Sequence, residues 1–288
     1  MSASSQRRAE HLVDAARLMG RLGHPGVRVV DCRWRLGQPG AARALYEDGH
    51  IPGARFLDVD ADLTGAPGPA GRHPLPEPAA FAAALTRVGI GPDTSVIAYD
   101  DAALGGAARL WWLLRAVGHA AVRVLDGGLS AWLEAGGELE RGPAPPPAPG
   151  VVPFPARRPV PASIATAEEL LGKGSRARPR LLDARAGDRF RGEHEPIDPV
   201  AGHIPGALNL PFTSLLAPDG RFRAEPELRA AFAAAGVDDG RDVVAYCGSG
   251  VSACTLLLAA AAVGIEGARL YPGSWSEWSA RGLPVQRG

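Results

Sequence analysis

GHIPGAR at residues 49–55 returns as GHIPGAL at 202–208. Three further pairs follow in the same order. VRVVDCR at 27–33 matches RPRLLDAR at 178–185, VIAYD at 96–100 matches VVAYC at 243–247, and LDGGLSAW at 125–132 loosely matches LYPGSWSEW at 270–278. An offset that stays at about 145 to 153 positions through four matches is the mark of a tandem duplication. The 288 residues therefore divide into two units of ordinary domain size.

Within each copy, short runs such as VRVV, SVIAY, VRVL, PRLL, DVVAY and ARLY are apolar throughout, as strands buried on both faces must be. ARLWWLLRAVG and ACTLLLAAAAVG have the length and apolar character of helices, with Gly118 and Gly264 as their C-terminal caps. The expected fold class is α/β, a mostly parallel sheet flanked by helices, made twice. Between the copies lies RGPAPPPAPGVVPFPARRPVPAS, too rich in proline to join a helix and biased toward extended backbone. The linker is placed at 143–160, between a first domain of residues 1–142 and a second of 161–288. A stiff connection of this kind is expected to hold the domains face to face with a site in the cleft.

Acidic and basic residues balance at 31 each, which removes the electrostatic case for nucleic acid or an anionic membrane as partner. No run is apolar enough to span a bilayer, and the opening MSASSQRRAEHLVDAARLMGR lacks a signal-peptide core, so a cytoplasmic protein is expected. Cys32, Cys247 and Cys254 are odd in number and fit no disulfide framework or zinc pattern. At least one is expected to be a free thiol, and no metal is called for.

The second copy places Cys247 at the carboxyl end of a strand, the edge where open α/β sheets bind ligands. AYCGSGVSAC, residues 245–254, then runs into a helix expected to begin at Val251. Gly248 and Gly250 let the backbone wrap closely, so that amides from Gly248 to Ala253 and the positive helix end favour negative charge on sulfur. Asp100 stands at the equivalent place in the first copy, as though an anion were tolerated there. Cys32 and Cys254 read instead as small buried hydrophobes.

On these residues the chain resembles the two-domain sulfurtransferases of the rhodanese superfamily, over nearly its whole length. CGSGVSA is similar to the CGSGVT loop of the 3-mercaptopyruvate members, with Ser252 for threonine; thiosulfate-preferring members carry cationic residues there. The resemblance implies two tandem rhodanese-like domains, the first without the catalytic cysteine, and no cofactor. It implies a ping-pong reaction: Cys247 takes sulfane sulfur from a small-molecule donor, 3-mercaptopyruvate or thiosulfate, and passes it from the persulfide to an acceptor. The acceptor class is a thiol, cyanide or a thioredoxin-like protein.

Under the same resemblance Gly248, Gly250, Val251 and Ser252 form the anion cradle, and Arg189 in DARAGDRFRG holds the donor carboxylate, for which a guanidinium fork is suited. A second carboxylate-binding arginine belongs in the EPIDP stretch, where this chain has Ile197. Asp60, His73 and Ser249 match a proposed proton-transfer set. Arg185, two residues beyond Asp183, reads as a structural ion-pair partner, and His50 and His203 as parts of a repeated turn.

Other chemistries fit less well. Gly248, Gly250 and Ala253 satisfy G-x-G-x-x-A formally, but Glu266 precedes the next strand where a dinucleotide site needs an acid at its end. A cysteine phosphatase would need an arginine where Ala253 and Cys254 stand. DVDADL lacks the turn glycine of a calcium loop, having Leu63 instead. A persulfide carrier that does not turn over is the alternative outside the enzymes.

Overall fold

The computed structural model describes residues 3–101, 105–144, 150–172, 179–237 and 242–288. Strands β1 (Leu12–Val13), β2 (Val27–Asp31), β3 (Arg55–Phe56), β4 (Ser95–Tyr99) and β5 (Val122–Leu125) form one sheet in the order β1-β5-β4-β2-β3. Strands β6 (Arg180–Asp183), β7 (Leu208–Asn209), β8 (Val243–Tyr246) and β9 (Arg269–Leu270) form a second, in the order β7-β6-β8-β9. Every strand pair is parallel, in keeping with runs that are apolar on both faces. Where the first sheet gains β1, the second has only a parallel bridge from Ile164 to Leu270.

The duplication is preserved down to single hydrogen bonds. Arg33 forks onto Asp31 and donates to the Gly49 carbonyl at 2.7 Å; Arg185 forks onto Asp183 and donates to the Gly202 carbonyl at 2.7 Å. The Tyr99 hydroxyl receives the Ile51 N–H, and the Tyr246 hydroxyl that of Ile204. His50 stacks on Tyr46 and His203 on Phe190, each with Nδ1 2.8 Å from its partner's carbonyl oxygen. GHIPG is thus a corner locked to the strand ends, and Arg185 and both histidines have the structural parts expected of them.

One apolar core runs through both domains. The helix after β4 (Gly105–Ala116) packs on the helix after β8 (Ala253–Ala262), which is why both are buried on nearly all sides and lack a polar face. This seam holds the domains together, rather than the stiffness expected of the prolines. Residues 145–149 of the expected linker lie outside the described residues. Beyond them, Phe154 packs against His119 and donates its N–H to Thr86, and Val160 donates to Ala116, so this stretch is laid along the first domain. The amino-terminal helix (Ala3–His11) crosses to the second domain: it lies on Ala253–Ala262, and Arg8 donates to the carbonyls of Phe222 and Arg223. Among the described residues no helix is long and apolar enough to cross a membrane.

Asp100 is buried at the position equivalent to Cys247. Burial pushes its carboxyl well above the usual range, although the Ala107 N–H donates to it at 3.0 Å. Its likeness to Cys247 is one of position, and desolvation works against the negative charge expected there.

Candidate active site

Cys247 follows the last residue of β8 and is 3% exposed. The helix beyond it begins at Ala253, two residues later than expected, because the chain first turns through Gly250 at φ +83°. A Cβ on Gly250 would lie 2.5 Å from the Pro272 carbonyl oxygen, so only glycine fits. This turn aims the Gly250 N–H at the Cys247 sulfur, 3.1 Å away. The expected convergence of amides from Gly248 to Ala253 reduces to this single bond. The rest of the loop is fastened elsewhere: Cys247 and Gly248 carbonyls accept from Trp275 and Ser276, and the Ser274 hydroxyl accepts the Cys247 N–H. Val251 is buried in the shared core, leaving only its backbone to the loop surface, and Ser252 immediately precedes the helix.

Two domains supply the remaining groups. Ser249 Oγ lies 2.6 Å from His73 Nδ1, and His73 Nε2 lies 3.4 Å from Asp60 Oδ1, so the three residues singled out through the family resemblance do meet. Asp60 belongs to a short helix (Val59–Asp62) capped by Asp58, which accounts for the acid-rich DVDADL without a metal; no group of three or more metal-ligating side chains occurs among the described residues. Burial, with Arg72 and Arg109 nearby, lowers the His73 pKa to about 4, so the ring is neutral at physiological pH. Burial also raises the carboxyl of Asp60, and the neighbouring Asp58 adds to this. Trp34 meets the His73 ring in a T-shaped contact, with ring centroids 5.2 Å apart.

Arg189 stands over the loop, but it is not a lone cation. It donates to Glu195 at 2.6 Å and to Asp198 at 3.3 Å. Ile197, 43% exposed, brings no charge. A second guanidinium comes instead from the first domain. Arg72 donates to Asp198 at 2.7 Å, and a Cβ on Gly248 would meet Arg72 Nη2 at 3.4 Å and Arg189 Nη1 at 3.6 Å. Arg72 Nε is buried without a hydrogen-bond partner. Sequence reasoning passed over Arg72 although it adjoins His73, because nothing local shows that GRHPLP folds onto the other domain's loop.

Arg109 was also missed. Fully buried in the Gly105–Ala116 helix, it donates to the carbonyls of Gly250, Leu63, His73 and Pro74 at 3.1 to 3.3 Å. It therefore ties the loop carrying the thiol to the segment carrying His73. The available signal was a charge inside ARLWWLL, since an arginine in a buried run needs partners. Cys254 donates to the Gly250 carbonyl at 3.4 Å, and burial pushes its thiol up to about 12; Cys32 is likewise raised by burial. Burial thus works against a thiolate at both, in keeping with a reading of them as small buried hydrophobes.

Comparison with known proteins agrees with this arrangement. The family model for the rhodanese-like domain matches residues 14–135 and again 163–281. A Mycobacterium tuberculosis protein named among the thiosulfate sulfurtransferases is 44% identical over 98% of this chain and 99% of its own. A Pseudomonas aeruginosa protein named among the 3-mercaptopyruvate sulfurtransferases is 46% identical over 93% of this chain and 94% of its own. The solved structure of 3-mercaptopyruvate sulfurtransferase from Leishmania major superposes with a TM-score of 0.80 at 32% identity, covering 94% of this chain and 74% of that one. With both halves matched and relatives alike from end to end, the chain belongs to the rhodanese family, as one of its two-domain sulfurtransferases.

Proposed function

We propose that the protein transfers sulfane sulfur through a persulfide on Cys247, with 3-mercaptopyruvate as the preferred donor and thiosulfate as the weaker one. The observation that carries this is the pairing of a cysteine sulfur, bonded to the Gly250 amide, with two guanidiniums beside Gly248 and a Ser249–His73–Asp60 series.

The donor's carboxylate is held by Arg72 and Arg189, and Arg72 takes the part that Ile197 leaves empty. The Cys247 thiolate attacks the donor sulfur, an S–S bond forms, and the C–S bond breaks with its electron pair left on carbon as the enolate of pyruvate. That carbon needs a proton. Neutral His73 can carry its ring proton on Nδ1 and give it to Ser249 as the Ser249 hydroxyl proton passes to the enolate. In the same event Nε2 takes a proton from Asp60, so the ring stays neutral, and the raised carboxyl and 48% exposed side chain of Asp60 connect the series to solvent. Sulfite, the leaving group from thiosulfate, departs without such a proton, and for that reason the series favours mercaptopyruvate.

In the second half-reaction the outer sulfur passes to a nucleophile, a small thiol or cyanide, and Cys247 returns as thiolate. A thioredoxin-like protein is proposed as a further acceptor. The test is a comparison of kcat/KM for the two donors in the wild type and in His73→Ala, with Cys247→Ser as control. Loss confined largely to mercaptopyruvate is expected, about 100-fold for a lost proton-transfer group. Equal losses with both donors would remove the proton series from the mechanism.

A further inference from the structure

The two guanidiniums beside Cys247 share one carboxylate. Asp198 Oδ1 accepts from Arg72 and Oδ2 from Arg189, so a single side chain bridges a cation from each domain. Asp198 is only 3% exposed, and its charge is therefore weakly screened by solvent. It is also fixed in place: its N–H donates to Glu195, which receives Arg189 on one oxygen and both Arg189 and Arg185 on the other. Asp183 completes the series on Arg185. Arg72, Arg189 and Arg185 thus face Asp198, Glu195 and Asp183, equal numbers of opposite charges.

The consequence is a site rich in forked hydrogen-bond donors and poor in net positive charge. A carboxylate with one charge can use the forks at modest desolvation cost. A dianion of similar size needs further positive charge to offset its larger hydration. We propose that Asp198 sets the charge selectivity of the donor site: by neutralising one of its two arginines it favours singly charged carboxylate donors over doubly charged thiosulfate. This rests on the reading of Arg72 and Arg189 as the place where the donor's anion binds. It makes Asp198 a positioning residue, acting through the arginines and not on the reacting atoms.

The experiment is Asp198→Asn, which keeps size and one acceptor but removes the charge. The ratio of kcat/KM for thiosulfate to that for mercaptopyruvate is expected to rise about fivefold or more, carried by a lower KM for thiosulfate and steeper with falling salt. Asp198→Glu, which keeps the charge, should leave the ratio near that of the wild type. A merely structural role would lower both donors together, and an unchanged or lowered ratio overturns the proposal. Should Asp198→Asn fold poorly, inhibition of the wild type by pyruvate and by sulfate at equal ionic strength decides: pyruvate inhibiting at the lower concentration is expected, and sulfate doing so overturns it. A wild type that loads sulfur from neither donor would overturn the function proposed above as well, which distinguishes the two failures.

Discussion

Arg109, fully buried in the first domain, donates its Nη1 to the carbonyl of Gly250, the residue whose N–H meets the Cys247 sulfur in the second. The same guanidinium holds the carbonyls of His73 and Pro74. One side chain therefore sets the spacing between the Cys247 loop and the segment that carries His73. Replacing it with methionine removes four hydrogen bonds to a charged group, offset in part by the desolvation that burial imposes on the guanidinium. The expected result is destabilisation of about 2–4 kcal/mol with reduced turnover for both donors. Urea unfolding and steady-state rates check it; unchanged stability would show that the four bonds only break even with desolvation.

His73 predicts a pH dependence of stability. Its pKa is lowered in the folded protein to about 4, chiefly by burial, from an unfolded value of 6.5. The unfolded chain therefore binds more protons between these limits, and stability present above pH 6.5 is lost as pH falls toward 4. The contribution is on the order of 3 kcal/mol. His11, also lowered to about 4 by burial and by Arg115 and Arg123, acts in the same direction. His73→Asn should flatten the pH profile of the unfolding free energy between pH 4 and 6.5, a change read directly by denaturant titration at several pH values.

The shared core predicts that the domains do not melt separately. Leu256, fully buried on the seam helix, should cost about 2–5 kcal/mol when replaced by alanine. Because the cluster spans both sheets, calorimetry should show one transition for the wild type and for Leu256→Ala. Two separate transitions would mean that the seam does not couple the domains.

Cys247→Ser should abolish sulfur loading while leaving the unfolding free energy within about 1 kcal/mol, since the thiol's volume is nearly conserved. Intact-mass measurement after incubation with donor should show one added sulfur atom on the wild type. Cys254→Ser should still acquire it, whereas loss of loading there would transfer the chemistry to the wrong thiol.

The fold was legible because duplication is written in local sequence: GHIPG, the apolar strand runs and Asp-x-Arg after β2 and β6 each report on their own surroundings. Cys247, Ser249, His73, Asp60 and Arg189 were singled out through a glycine loop and family resemblance, and the structure brings Ser249, His73 and Asp60 together. Arg72 and Arg109 were not. Their partners are carbonyls and carboxylates far along the chain, Asp198 and Gly250 among them, and no spacing rule connects residues across a domain seam. The same holds for the amino-terminal helix, which meets the second domain through Arg8 and carbonyls more than 200 positions away. The amide count around the sulfur was overestimated because a glycine-rich loop states that the backbone can turn, not which N–H groups the turn leaves available.

The depth at which Cys247 is set has a consequence for what it carries. Cys247 as a residue is 3% exposed, and under the proposed transfer the acquired atom would stand one S–S bond, about 2 Å, beyond its sulfur. An acceptor then touches the cargo and not its carrier. On the proposed mechanism, attack falls on the outer sulfur because the inner one belongs to a buried residue whose own loop turns back on it through the Gly250 N–H.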